Sequence, residues 1–147
     1  MRILMLTSRI PYPPLRGDRI RTWNALLAFS ERHDVDLITF VEDEGAESEL
    51  AQLREHATVT PIVLPKLASY ANMLARVLSP MPFQASYYAS SAMERAVGEA
   101  LAARDYDVVY AHLFRMAPFV MRGRSLRRTH PGQRFLMDMA DAISSEI

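Results

Sequence analysis

Apolar runs and helical periods alternate along the chain. Ile3 to Leu6 is a continuous apolar run that stops at polar Thr7-Ser8, the pattern of a strand buried on both faces. Arg19 to Arg32 has helical spacing, with Ile20, Trp23 and Leu27 on one stripe and Leu26 beside it. Asp18 is placed to cap that helix, because its carboxylate can accept from orphan N–H groups. Val35 to Val41 predicts a second strand, and Glu44 to His56 a helix with Ala46, Leu50, Leu53 and Ala57 on one face. Val59 to Leu64 predicts a third strand. It contains Pro61, which lacks the N–H that a central strand needs, so this strand belongs at a sheet edge.

The alternation continues. Lys66 to Leu78 predicts a helix ended by Ser79-Pro80-Met81-Pro82. Ser91-Ala92-Met93-Glu94 has the form of a capping box and opens an amphipathic helix carrying Met93, Ala96, Val97, Ala100 and Leu101. Asp107 to Ala111 predicts strand four, Phe114 to Met121 a short helix, Arg122 to Gly132 a basic loop, and Arg134 to Met139 strand five. Together these elements predict an α/β fold: a three-layer α/β/α, Rossmann-like parallel sheet of order 3-2-1-4-5, in which strand three is an edge. The sequence given stops at Ile147, soon after strand five, and this reads as a piece of a longer polypeptide.

Composition narrows the functions. The 147 residues suffice for one domain with a real core. Seventeen basic and seventeen acidic residues give a formal net charge of zero, so nothing global points to a nucleic-acid partner. Lys66 is the only lysine. Arginine suits bidentate contact with phosphate or carboxylate, although codon bias explains the excess more simply. The absence of cysteine excludes disulfides, thiolate metal sites and thiol catalysis. No run reaches the roughly 18 apolar residues of a membrane-spanning helix, and no signal peptide is evident, so a soluble protein of the cytoplasm is expected.

The chemistry is expected at the carboxyl ends of the strands, where open α/β sheets bind ligands. Gly17 stands just before the first helix, where a backbone must approach a ligand closely or adopt positive φ. The first-turn N–H groups would point at an anion, with Arg16, Arg19 and Arg21 around them. The plainer account is a connection needing one glycine among solvated arginines. The nicotinamide fingerprint G-x-G-x-x-G and the phosphate loop G-x-x-x-x-G-K-[ST] are both missing, which argues against a dehydrogenase or an NTPase. His112, at the end of strand four, could hydrogen-bond a sugar hydroxyl or a phosphate, or could simply pack. Asp138 and Asp141, at the end of strand five, could act as a base or bind hydroxyls; Asp138, within an apolar run, could instead simply bond to backbone, which leaves Asp141 as the better ligand candidate. No pair of histidines has metal-ligand spacing, so no metal site is expected. Met73, Met81, Tyr70, Tyr87 and Tyr88 make Leu67 to Tyr88 rich in methionine and tyrosine. Core packing is the plain account, and an acceptor or membrane-facing surface the sharper one.

Several of these residues occur in a familiar order. The opening R-I-L-x-L-T-x-R-I-P-Y-P-P-x-x-G-D-x-I-R, Arg2 to Arg21, resembles the start of glycosyltransferase family 4 proteins. It is closest to the bacterial sugar transferases associated with exosortase (PEP-CTERM) systems and exopolysaccharide loci. Glu31 to Leu37 is similar to that family's passage from helix one into strand two, and Val108 to His112 to its strand four ending in histidine. Asp138-Met139-Ala140-Asp141 resembles its aspartate pair, with Ser144 matching a serine and Ile143 replacing an acidic position.

The resemblance implies the N-terminal, acceptor-side half of a GT-B enzyme, retaining and metal-independent. A separate donor-binding domain with an E-x7-E signature would be its partner. It implies a nucleotide-diphosphate sugar as donor substrate and no other cofactor. A polysaccharide or lipid-linked glycan is the implied acceptor, with peripheral contact at the inner face of the cytoplasmic membrane. Arg16, Gly17, Asp18, Arg21, His112 and Asp141 are the implied binding residues, His112 lying near the donor sugar. Without the donor domain this chain would be nearly inactive. The alternative is a stand-alone, non-catalytic Rossmann-like binding module.

Overall fold

The computed structural model describes residues 1–42, 46–64, 90–125 and 132–139. Five strands, β1 (Arg2–Thr7), β2 (Asp34–Val41), β3 (Thr58–Val63), β4 (Val108–His112) and β5 (Arg134–Asp138), form one parallel sheet of order β3-β2-β1-β4-β5. The expected order and edge position are observed: Pro61 pairs with Thr39 on a strand that has a neighbour on one side only. Among the described residues, four helices accompany the sheet, α1 (Gly17–Ser30), α2 (Glu47–Arg54), α3 (Ser91–Ala103) and α4 (Ala117–Ser125), with a 3-10 turn at Phe114–Met116.

Period-two alternation sorts the strand residues into two cores. Ile3, Met5, Val35, Leu37, Val41 and Tyr110 pack with Leu26 of α1 and with Leu50 and Leu53 of α2. Leu4, Leu6, Ile38, Phe40, Val109 and Ala111 pack on the opposite face with α3, α4 and the 3-10 turn. Central strands β1 and β2 are buried on both faces, which is why they read as unbroken apolar runs.

Several local expectations are corrected. Helix α1 starts at Gly17, with Arg16 as its cap residue and no side-chain cap, so Asp18 lies inside the first turn. Its buried residues are Thr22 and Leu26, while Ile20 is exposed: the helix leans on the sheet about one position round from the expected stripe. On α3 the cap is Ser90 rather than Ser91; its Oγ accepts from the Met93 N–H at 3.3 Å. The apolar face of that helix is as expected, with Met93, Val97 and Leu101 buried. Helix α4 runs on to Ser125, into the stretch expected as a basic loop. Gly132 has φ +104°, a left-handed conformation that glycine adopts without steric cost, just before β5. The helix expected at Lys66 to Leu78, the Met/Tyr-rich segment and Asp141 lie outside the described residues.

Candidate functional site

The carboxyl tips of β1, β2, β4 and β5 meet the amino end of α1. Ile10 and Pro11 are buried just after β1 and anchor the proline-rich connection. Tyr12 packs against Trp23 of α1 at 5.2 Å between ring centroids, and Trp23 meets His56 edge-on at 5.4 Å. The Tyr12–Pro13 peptide is cis, and Leu15 N–H bonds back to Pro13 carbonyl at 2.9 Å. This loop hands the chain to Arg16, whose extended backbone starts α1 and whose carbonyl accepts from Ile20 N–H at 2.8 Å.

Helix geometry leaves the first N–H groups without intrahelical partners. Those of Gly17, Asp18 and Arg19 have no acceptor among the described residues. Gly17 does not have positive φ, and a Cβ built on it would meet nothing within 4 Å. Backbone strain is therefore not the reason for this glycine. The open space beside it suits close approach by a ligand, the other expectation for Gly17.

Alternation along β4 puts Tyr110 and His112 on the face that α1 covers, where Tyr110 meets Phe29 edge-on at 5.4 Å. Parallel pairing sets Asp138 of β5 opposite His112. The Asp138 carboxylate binds side chains, a tyrosine hydroxyl among them, and not backbone. Its Oδ2 accepts from Arg21 Nε at 2.7 Å and from Tyr110 Oη at 2.6 Å. His112 Nδ1 stands 3.5 Å from the same oxygen. The backbone is tied here too: Leu113 N–H donates to the Asp138 carbonyl at 2.8 Å. Leu113 has φ 70° and ψ 150°, a region nearly reserved for glycine, at a cost of about 1–3 kcal/mol. Such strain clusters at functional sites, and Leu113 directly follows His112.

His112 is buried and uncharged in character. Its side chain is 3 % exposed, and among the described residues neither ring nitrogen makes a hydrogen bond. Burial lowers its pKa from 6.5 and outweighs the opposing pull of Asp138 and Asp18. Asp138 behaves the other way: burial would raise its pKa, but the bonds from Arg21 and Tyr110 prevail and hold it below 3.8. Burial, followed by the bond to Asp138, pushes the Tyr110 phenol above its usual range. At neutral pH the corner therefore holds a carboxylate, a phenol, a neutral imidazole and an exposed guanidinium. Across the sheet, Thr7 donates to Thr39 at 2.8 Å within the same buried layer.

Of the residues singled out from sequence, Arg21 and His112 are brought together through Asp138. Arg16, Gly17 and Asp18 form the rim, with the charge of Asp18 felt at His112. Asp138 as the hub and Tyr110 as its second donor were missed. Strand arithmetic could have found both, since Tyr110 precedes His112 by two and Asp138 is its partner in the parallel register.

An opening of about 650 Å³ lies at the other end of the sheet, lined by Arg2, His33, Asp36, Arg54, His56 and Arg104 among others. Two of its arginines are engaged with protein acids, Arg104 with Asp36 and Arg54 with Glu47. It also lies at the amino ends of parallel strands, the end that ligands of such sheets avoid. Among the described residues, no group of three or more His, Cys, Asp or Glu is arranged to hold a metal ion. No described helix is long and apolar enough to cross a membrane.

No known protein family matches the chain, and no curated protein does. Among solved structures, the chain is similar to the C-terminal domain of a hydrogenase from Pyrococcus furiosus. Identity is 16%, the match covers 93% of this chain and 90% of that one, and the TM-score is 0.53. At that identity the likeness is one of fold, and it agrees with the Rossmann-like sheet described above.

Proposed function

We propose that this chain is the acceptor-side, N-terminal domain of a nucleotide-sugar-dependent glycosyltransferase of the GT-B kind. Its opening motif resembles family 4, and one observation carries the reading: the buried, unpartnered His112 beside the uncapped amino end of α1. The first-turn N–H groups beside Gly17 would hold a diphosphate, and Arg16 and Arg21 would add positive charge. Fixed amide dipoles and guanidinium groups can stabilise the charge of a leaving diphosphate without reorganising. His112, which has an unused donor or acceptor, would meet a sugar hydroxyl. Asp18, an acceptor only, would accept hydrogen bonds from hydroxyls and would not touch the phosphates. The acceptor would be a polysaccharide or lipid-linked glycan, and a second domain would close the site over the donor. Cytoplasmic placement, with contact at the inner membrane face, belongs to the same proposal.

The test is made on the full-length gene product. The reading frame continued past codon 147 should encode a second domain with an E-x7-E helix. That protein should transfer sugar from a uridine or guanosine diphosphate donor, and Gly17→Val should lower kcat/KM by about 10²-fold. Turnover unaffected by Gly17→Val would remove this loop from the donor site. Absence of transfer with every nucleotide-sugar would count for a non-catalytic module.

A further inference from the structure

Three side chains converge on one oxygen. Asp138 Oδ2 accepts from Arg21 and from Tyr110, and these two bonds leave His112 Nδ1 outside at 3.5 Å with no bond of its own. The three groups are not equally fixed. Tyr110 and His112 are core residues of β4, whereas the Arg21 side chain is 60% exposed. Arg21 can therefore leave Asp138 without disturbing the core. It also stands four residues after Gly17, about one turn along α1 on the same side, next to the turn whose N–H groups lack acceptors.

We propose that Asp138 is a positioning residue that serves Arg21 and His112 alternately. A phosphate or diphosphate group arriving at the first turn of α1 draws the Arg21 guanidinium away from Asp138. The freed Oδ2 then accepts from His112 Nδ1–H, and the imidazole takes one proton from solvent so that Nε2–H can donate into the site. Asp138 stays ionised and Arg21 stays charged throughout, so one proton is taken up for each anion bound. This deepens the phosphate-site reading above and rests on it.

The surroundings of His112 favour such an exchange. Asp138 on β5 and Asp18 on α1 pull the imidazole toward its charged form. Burial and Arg115 of the 3-10 turn oppose them, and Tyr110, two residues away on β4, shares the same carboxylate. Departure of Arg21 and arrival of an anion both shift this balance toward imidazolium.

The experiment is a pH titration of the His112 ring followed by NMR on the full chain, the resonance being assigned with His112→Gln. It is run with and without saturating inorganic pyrophosphate. Pyrophosphate should move the amide signals of residues 17–19 and raise the His112 midpoint by about 1–2 pH units. In Arg21→Gln, an exposed substitution that leaves the core intact, the midpoint should already be raised before any anion is added. In Asp138→Asn, pyrophosphate should raise it by clearly less than in the unaltered chain, because only the direct pull of the anion remains; a rise as large as in the unaltered chain would remove Asp138 from the exchange. Moved amides with a fixed His112 midpoint would overturn the exchange and leave the anion site standing. Unmoved amides would overturn the anion site itself, and the exchange with it. An unchanged midpoint in Arg21→Gln would show that Arg21 and His112 do not share Asp138.

Discussion

Both ends of the sheet carry an aspartate bound by a tyrosine and an arginine. At the carboxyl end Asp138 accepts from Tyr110 at 2.6 Å and Arg21 at 2.7 Å. At the amino end Asp36 accepts from Tyr106 at 2.5 Å and Arg104 at 3.2 Å. In each case burial and the aspartate push the phenol above its usual range. Each triad ties neighbouring elements together, and neither arrangement by itself marks a site. The amino end has one unbonded buried ring nitrogen, Nδ1 of the half-buried His33, but the carboxyl end adds two features: a fully buried imidazole with neither nitrogen hydrogen-bonded among the described residues, and a helix whose first N–H groups lack acceptors. These unused groups, and not the ion pair, make the carboxyl end the candidate site.

The strongest way to break the comparison is Gly17→Val. Open space surrounds the site of the new Cβ, so the fold should survive. Pyrophosphate affinity, read by calorimetry, should nevertheless fall about 10²-fold, because the branched side chain fills the space where the anion would meet the backbone. Next come Asp138→Ala and Asp36→Ala. Each leaves the hydroxyl of a buried tyrosine without its acceptor, and each should cost about 2 kcal/mol in urea unfolding. A large inequality between the two would show that the triads are not equivalent supports.

Arg21→Gln should weaken pyrophosphate binding roughly tenfold, while Arg104→Gln should not change it. Equal losses would mean that the anion is held by general charge. The smallest effect is on the pH dependence of stability. Because folding lowers the His112 pKa, the unfolded chain binds the proton more readily. Stability should therefore be full above pH 6.5 and decline as pH falls through the folded value. His112→Gln should remove that decline. It should leave the further loss that begins below pH 3.8, where Asp138 is protonated more readily in the unfolded chain.

The architecture was legible in the sequence because burial leaves an unbroken apolar signature. β1 and β2 read as runs for that reason, and Pro61 alone put β3 at the edge. Cap positions were less legible. Ser90 and Ser91 have the same side chain, and only backbone conformation chooses between them. The position of α1 was misjudged because Thr22, which hides its hydroxyl by bonding back to the Asp18 carbonyl at 2.9 Å, does not read as a core residue. Arg21 and His112 were legible as site residues from their place at a strand-to-helix turn and a strand tip. Asp138 was not, because an aspartate in an apolar run has no visible partner until β4 and β5 are set in register.

The most direct test of the site follows each backbone amide and histidine ring of the full chain during a pyrophosphate titration. The signals of Gly17, Asp18, Arg19 and His112 should move together and saturate at one concentration. Movement confined to Arg2, Arg54 and Arg104 at the far end of the sheet, or no movement at all, would contradict the site proposed here.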